Sequence, residues 1–147
     1  MYKRIVEHVV LRTWQALDRR DTKPVLRGFA RRFLYENVGA DHAFGGTFRT
    51  REEVSAHFDL LFRLLPAVEF SVRDVLVSGC PHSTAVVVRV GIVAPLPDGS
   101  MYANELVQQL RLRWGKVTSV RALVDNVRAQ DACERIAAAG VSIRAAA

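Results

Sequence analysis

The residue whose type and place most directly invite chemistry is Gln108. It lies in ELVQQLRLRWGKVTSVRALVD, Glu105 to Asp125, which reads as two long strands joined at Trp114-Gly115-Lys116. Leu106, Leu110 and Leu112 recur at alternate positions and share one side of the first strand, with Gln108 among them. An amide on an inner wall must hydrogen-bond to something; in a hollow fold a ligand supplies the partner, and in a filled one a hydroxyl or backbone group does. Asp74 similarly interrupts the series Phe70, Val72, Leu76, and either enters the same interior or pairs with an arginine across strands. Asp41 and His42 are adjacent, but neighbours in an extended segment point apart, which favours a loop. His8, His57 and His82 show no ligand spacing, so no metal site is expected. Cys80 and Cys133 form no metal or redox spacing and read as free thiols.

The chain that must position these groups has 147 residues, enough for one domain to bury a core without staples. Half of its residues are hydrophobic and 24% are charged, with no low-complexity tract, as in an ordinary globular protein. No apolar run approaches the roughly 18 to 20 residues of a membrane span. MYKRIVEHVV continues into a charged amphipathic pattern rather than a signal peptide, so a cytoplasmic protein without a membrane partner is expected. The net charge of +6 is carried by dispersed arginines with no basic block interleaved with aromatics. That pattern reads as a solvated surface, with scope for steering an anionic ligand, and no nucleic-acid partner is expected.

Helical spacing of Ile5, Val9, Trp14 and Leu17, flanked by Val6, Val10 and Thr13, predicts an amphipathic helix from Tyr2 to Leu17. Asp21-Thr22-Lys23-Pro24 supplies a cap and a first-turn proline for a short helix through Phe29. Aromatic-rich Phe33 to Val38, ended by Gly39, predicts a strand. Thr50, three residues before Glu53, makes a capping box that opens a helix to Leu65 with a buried stripe of Val54, Phe58, Leu61 and Leu65. Strands follow at Val68 to Ser78, Thr84 to Val93, Met101 to Trp114 and Lys116 to Val124. Asn126, or Asp125 beside it, starts a last helix through Ala139, stopped by Gly140, which gives one domain over residues 1–140 and a frayed tail over 141–147. Helices segregated onto one face of a curved antiparallel sheet make an α+β domain.

This order resembles the nuclear transport factor 2-like fold, in which a long sheet folds over N-terminal helices into a cone with an internal cavity. Local stretches resemble bacterial steroid Δ5-isomerases: VVLRTWQALDRRD in the first helix, ENVG followed by Gly46, PAVEFSVRDV opening the long strands, and GKVTSVRALV in the last strand. In those enzymes a carboxylate on the first strand shuttles a proton beside a carbonyl, while a helix tyrosine and a protonated aspartic acid on the third long strand donate hydrogen bonds to the enolate oxygen. The resemblance puts Thr13 in the place of the tyrosine, next to Trp14, and Gln108 in the place of the aspartic acid. The carboxylate falls on Asn37 when aligned from the preceding helix and on Glu36 when aligned from Val38-Gly39. A glutamate in an apolar cavity has its pKa raised and can act as a base, whereas an asparagine cannot. Small polyketide cyclases of the same fold use a carboxylate near the end of the last strand, where Asp125 lies, although its strand parity sets it opposite Val120, Ala122 and Val124. The resemblance also implies that Trp14, Phe29, Tyr35, Phe58, Leu110, Val120 and Ala122 line the cavity.

The expected protein is therefore a cone whose cavity binds a small hydrophobic molecule, with isomerase-like or cyclase-like proton transfer. Glu36 would be the base, Gln108 the oxyanion donor, and Thr13 and Asn37 positioning groups, with Asp125 contributing if the strand end twists inward. No cofactor is implied. A homodimer is expected because Val75, Val77, Val87 and Val93 are placed on the outer face of the sheet. The alternative is a non-catalytic ligand-binding or dimerisation module of the same fold, favoured by loss of the helix phenol and of the aspartic acid. A basic subunit for nucleic acid or an acidic partner is a third and weaker reading.

Overall fold

Alternating apolar residues generate the long antiparallel strands β3 (Glu69–Cys80), β4 (Ser83–Pro95), β5 (Met101–Arg113) and β6 (Lys116–Leu123) in the computed structural model, which describes residues 1–144. Three helices precede them, α1 (Tyr2–Asp18), α2 (Lys23–Gly28) and α3 (Arg51–Leu64), with β1 (Phe29–Asn37) and β2 (Thr47–Phe48) between the last two. The helix α4 (Asn126–Ala138) follows the sheet. The six strands form one sheet in the order β2-β1-β6-β5-β4-β3. All neighbours are antiparallel except β1 and β6, which run parallel with Tyr35 beside Val120 and Asn37 beside Ala122.

Several boundaries differ from the sequence expectation. The first strand starts at Phe29, where helix was expected, because Gly28 ends α2 and the extended backbone at Phe29 pairs with Val117. Thr50 Oγ1 accepts from Glu53 N at 3.1 Å as a capping box requires, but the Glu53 carboxylate reaches Arg49 N at 3.2 Å instead of the cap residue's own N–H. Of the two residues expected to start α4, Asp125 is the cap: its carboxylate accepts from Val127 N and Arg128 N at 3.0 and 3.2 Å. Arg63 donates to the carbonyls of Ser142 and Arg144, and Val141 and Ile143 pack in the cluster around α4. The rest of the expected tail, residues 145–147, lies outside the described residues.

Three irregularities interrupt the register of the sheet, one in β3 between Val72 and Asp74, one where Arg111 and Leu112 meet β6, and one in β1 between Phe29 and Leu34. The first inverts the expected faces of β3. Past the extra residue Arg73, Asp74 turns outward to pair with Arg89 at 2.6 Å, and Leu76 follows it to the surface at 65% exposure. Val75 and Val77, expected outside, instead pack against the core in register with Val88 and Val86. Trp114 and Gly115 both have positive φ, 51° and 77°, which makes the two-residue turn between β5 and β6 the type that matches strand twist.

The inner face divides into two apolar clusters. One joins α1, α3 and the middle of the sheet through Val6, Trp14, Leu17, Val54, Phe58, Val86, Val88 and Val90. The other packs Ala129, Ala132 and Ile136 of α4 against Leu64, Leu65, Val68, Ala94 and Tyr102.

Candidate functional site

The first cluster is hollow. A cavity of about 180 Å³ lies between α1, α2, α3 and the inner face of the sheet, with walls that are mainly aliphatic and aromatic. Trp14, Phe29, Tyr35, Phe58, Leu110 and Val120 line it, together with Leu17, Leu61, Phe70 and Ile92. The lining extends to exposed Val9 and Gly115 and half-buried Pro24 and Val25, so the cavity opens between α1, α2 and the β5–β6 turn. The aromatic walls brace one another: Trp14 meets Phe70 edge-on at 5.4 Å, and Phe29 stacks on Phe33 at 4.0 Å between ring centres.

The polar groups of the wall come from different elements. Gln108, on β5 between Val88 and Ala122, is only 7% exposed, and its Nε2 donates to the Tyr35 hydroxyl at 3.4 Å. Burial pushes the Tyr35 phenol up to about 12, against a smaller opposing effect of the Gln108 bond, so it is a neutral O–H donor. Asn37 lines the cavity one strand away and donates to Gly46 O at 3.1 Å, which leaves its side-chain oxygen available as an acceptor. Thr13 lines it too, but its hydroxyl donates to Val9 O at 2.8 Å, so towards a ligand it can only accept. No buried side-chain nitrogen or oxygen among the described residues lacks a hydrogen-bond partner.

His57 is the wall residue that sequence spacing to other histidines does not reveal. It is 8% exposed, packs tilted against Phe48 at 4.7 Å between ring centres, and lies 6.2 Å from the Tyr35 ring. Burial, followed by the nearby His42, lowers its pKa to about 4, so it is neutral at physiological pH. Its signal in the sequence was the helical stripe itself, because position 57 lies between Val54 and Phe58 on the buried side of α3. His42 belongs to the loop beside the site. Its Nδ1 accepts from Phe44 N at 3.2 Å, which requires Nε2–H to donate to Asn126 Oδ1 at 2.8 Å. Asn126 in turn donates to Val38 O at 3.2 Å, fastening the loop to α4.

The structure brings together Thr13, Asn37 and Gln108 of the expected chemical groups and leaves out both carboxylates. Glu36 faces away from the cavity between Tyr35 and Asn37, where it lies 3.7 Å from exposed Arg121 on the outer side of the sheet. Pairing of β1 with β6 sets that parity, since Glu36 is in register with Arg121. Asp125 is committed to the start of α4 and to Arg128 at 3.4 Å. Ala122 is buried in register between Gln108 and Asn37, but its single methyl is too short to reach the cavity that those longer side chains line. Among the described residues no three His, Cys, Asp or Glu side chains converge as a metal-binding group, and no helix is long and apolar enough to cross a membrane.

Solved structures of similar shape share the architecture. PrhC of Penicillium brasilianum superimposes with a TM-score of 0.78 at 17% identity, covering 94% of this chain and 91% of its own. A candidate SnoaL-like polyketide cyclase from Jannaschia sp. CCS1 gives 0.70 at 22% identity, over 87% of this chain and 90% of its own. IdmH, a candidate polyketide cyclase of Streptomyces antibioticus, gives 0.68 at 17% identity, over 84% and 94%. At such identities these likenesses establish the fold alone. No curated protein matches the sequence. The profile of the SnoaL-like domain, however, matches residues 10–120, which span α1 through the middle of β6 and most of the cavity wall, and the chain belongs to the SnoaL-like domain family.

Proposed function

We propose that this protein binds a small, largely apolar and uncharged molecule in the cone cavity, with the polar end of the ligand at Gln108 and Tyr35, and that it serves cofactor-independent proton transfer of the isomerase or cyclase kind. The observation that carries this reading is the Gln108–Tyr35 pair, a hydrogen-bonded polar island within a wall that holds no carboxylate, lysine or arginine among the described residues. A charged ligand would find no countercharge there. Size supports the same class. An apolar cavity of about 150 Å³ accepts benzene, so 180 Å³ suits one or two rings.

Titration of Trp14 fluorescence with uncharged one- and two-ring ketones tests it, Trp14 being buried at the site and Trp114 an exposed reference. Gln108→Leu is expected to weaken binding roughly 5- to 100-fold, the effect of losing one buried hydrogen bond. Equal binding by the variant would remove Gln108 from the site. A non-catalytic binding protein is the second reading, supported by the outward position of Glu36 and the capping role of Asp125. Association of two copies through the outer sheet face would rest on Leu76, Val87, Val93 and Leu123 instead of Val75 and Val77, and sedimentation of a Leu76→Lys variant tests it.

A further inference from the structure

Proton transfer in this cavity needs a group that can take a proton, and neither expected carboxylate lines it. The remaining titratable side chains of the wall are Tyr35, Tyr102 and His57. Burial raises the pKa of both phenols, so they keep their protons and cannot take another up. Tyr102 lies at the α4 end of the cavity, where its oxygen accepts from Asn104. His57 differs in presenting an unprotonated imidazole with a basic lone pair. Phe48 and Phe58, at 4.7 and 5.4 Å between ring centres, hold its ring, and Tyr35 stands 6.2 Å away. Tyr35 and His57 thus line the same cavity from neighbouring positions, the arrangement needed for a carbonyl oxygen to meet the phenol while the adjacent carbon meets the imidazole.

We propose that His57 is the proton acceptor of this cavity and Tyr35 the hydrogen-bond donor to the developing enolate oxygen of an uncharged one- or two-ring ketone. The C–H bond next to the carbonyl breaks towards an imidazole nitrogen, its electron pair forms the enolate carbon–carbon double bond, and the carbonyl π pair moves onto oxygen. The imidazolium then returns the proton to the same carbon or to the far end of a conjugated system. Nothing is oxidised or reduced, and no co-reactant is consumed. Gln108 is a positioning residue in this step: by donating to the Tyr35 oxygen it leaves the phenolic proton free for the ligand. A buried imidazole is a weak base, so the C–H bond must be activated by an adjacent aryl or vinyl group as well as by the carbonyl.

This inference rests on the cavity being a ligand site, and the test separates the two. Exchange of the C1 protons of 2-tetralone in deuterated neutral buffer is followed by proton NMR, with binding measured in parallel from Trp14 fluorescence. The unaltered protein is expected to accelerate exchange well above buffer. His57→Gln should lower that rate on the order of 100-fold with ligand still bound, and Tyr35→Phe about 10-fold or more. Glu36→Gln should leave it unchanged. Binding without exchange by the unaltered protein, or full exchange in His57→Gln, overturns the role of His57 and leaves the binding reading intact. No binding of any one- or two-ring ketone overturns the binding reading itself. If His57→Gln does not fold, Tyr35→Phe decides: an unchanged rate there sinks the proposed geometry.

Discussion

The two apolar clusters lie against the same sheet and differ in what fills them. Around α4, Ala129, Ala132 and Ile136 cluster with Leu64 and Ala94, each of them at most 2% exposed and none of them on the cavity wall. Under α1 and α3, larger side chains including Trp14, Phe29, Tyr35 and Phe58 stop short of one another and enclose a space with polar groups on its wall. Small residues in the first region allow close approach, as a stability element requires. Bulky braced residues in the second maintain a void that a well-packed core would not keep. One end of the cone is filled, the other hollow.

The largest expected break of this contrast is Ile136→Ala. In a filled cluster the new void cannot collapse, and denaturant unfolding should show a loss of about 2–5 kcal/mol. Leu110→Ala, which only widens an existing space, should cost roughly 1–2 kcal/mol and shift preference towards bulkier ligands. Acid should act selectively on the hollow end. His57 has its folded pKa lowered to about 4 from 6.5, so its stabilising contribution is complete above 6.5 and lost as pH falls towards 4. Unfolding free energies from urea titrations at pH 7 and pH 4.5 should differ by roughly 2–3 kcal/mol from this group, a difference that His57→Gln removes. Asp125→Ala should cost about 1 kcal/mol through the lost cap of α4 while leaving ligand binding unchanged. Glu36→Gln should be nearly silent, below about 0.5 kcal/mol, because its ion pair with Arg121 is solvent-exposed.

Much of the positioning frame was legible because period-2 alternation over β4, β5 and β6 reports directly which side chains face the helices. Gln108 was visible as an inward polar residue for that reason. What failed to show depends on contacts distant in sequence. The side of Glu36 is fixed by parallel pairing with β6, about which β1 alone carries no information. Asp74 looked like an interruption of a pattern, but it marks a bulge at Arg73 that reverses every later residue of β3. Two-residue β2 is too short to leave a periodic trace. His57 has no ligand spacing to other histidines; its place on the wall follows from sharing an apolar helical stripe with Val54 and Phe58.

The distinction between a filled end and a hollow end is tested most directly by a crystal structure with 2-tetralone bound. The expected result is one molecule between Trp14 and Phe58, its carbonyl oxygen about 2.6–3.2 Å from the Tyr35 hydroxyl. A molecule found on the outer sheet face, or in the cavity with its oxygen turned towards Val9 and Gly115, would contradict the account.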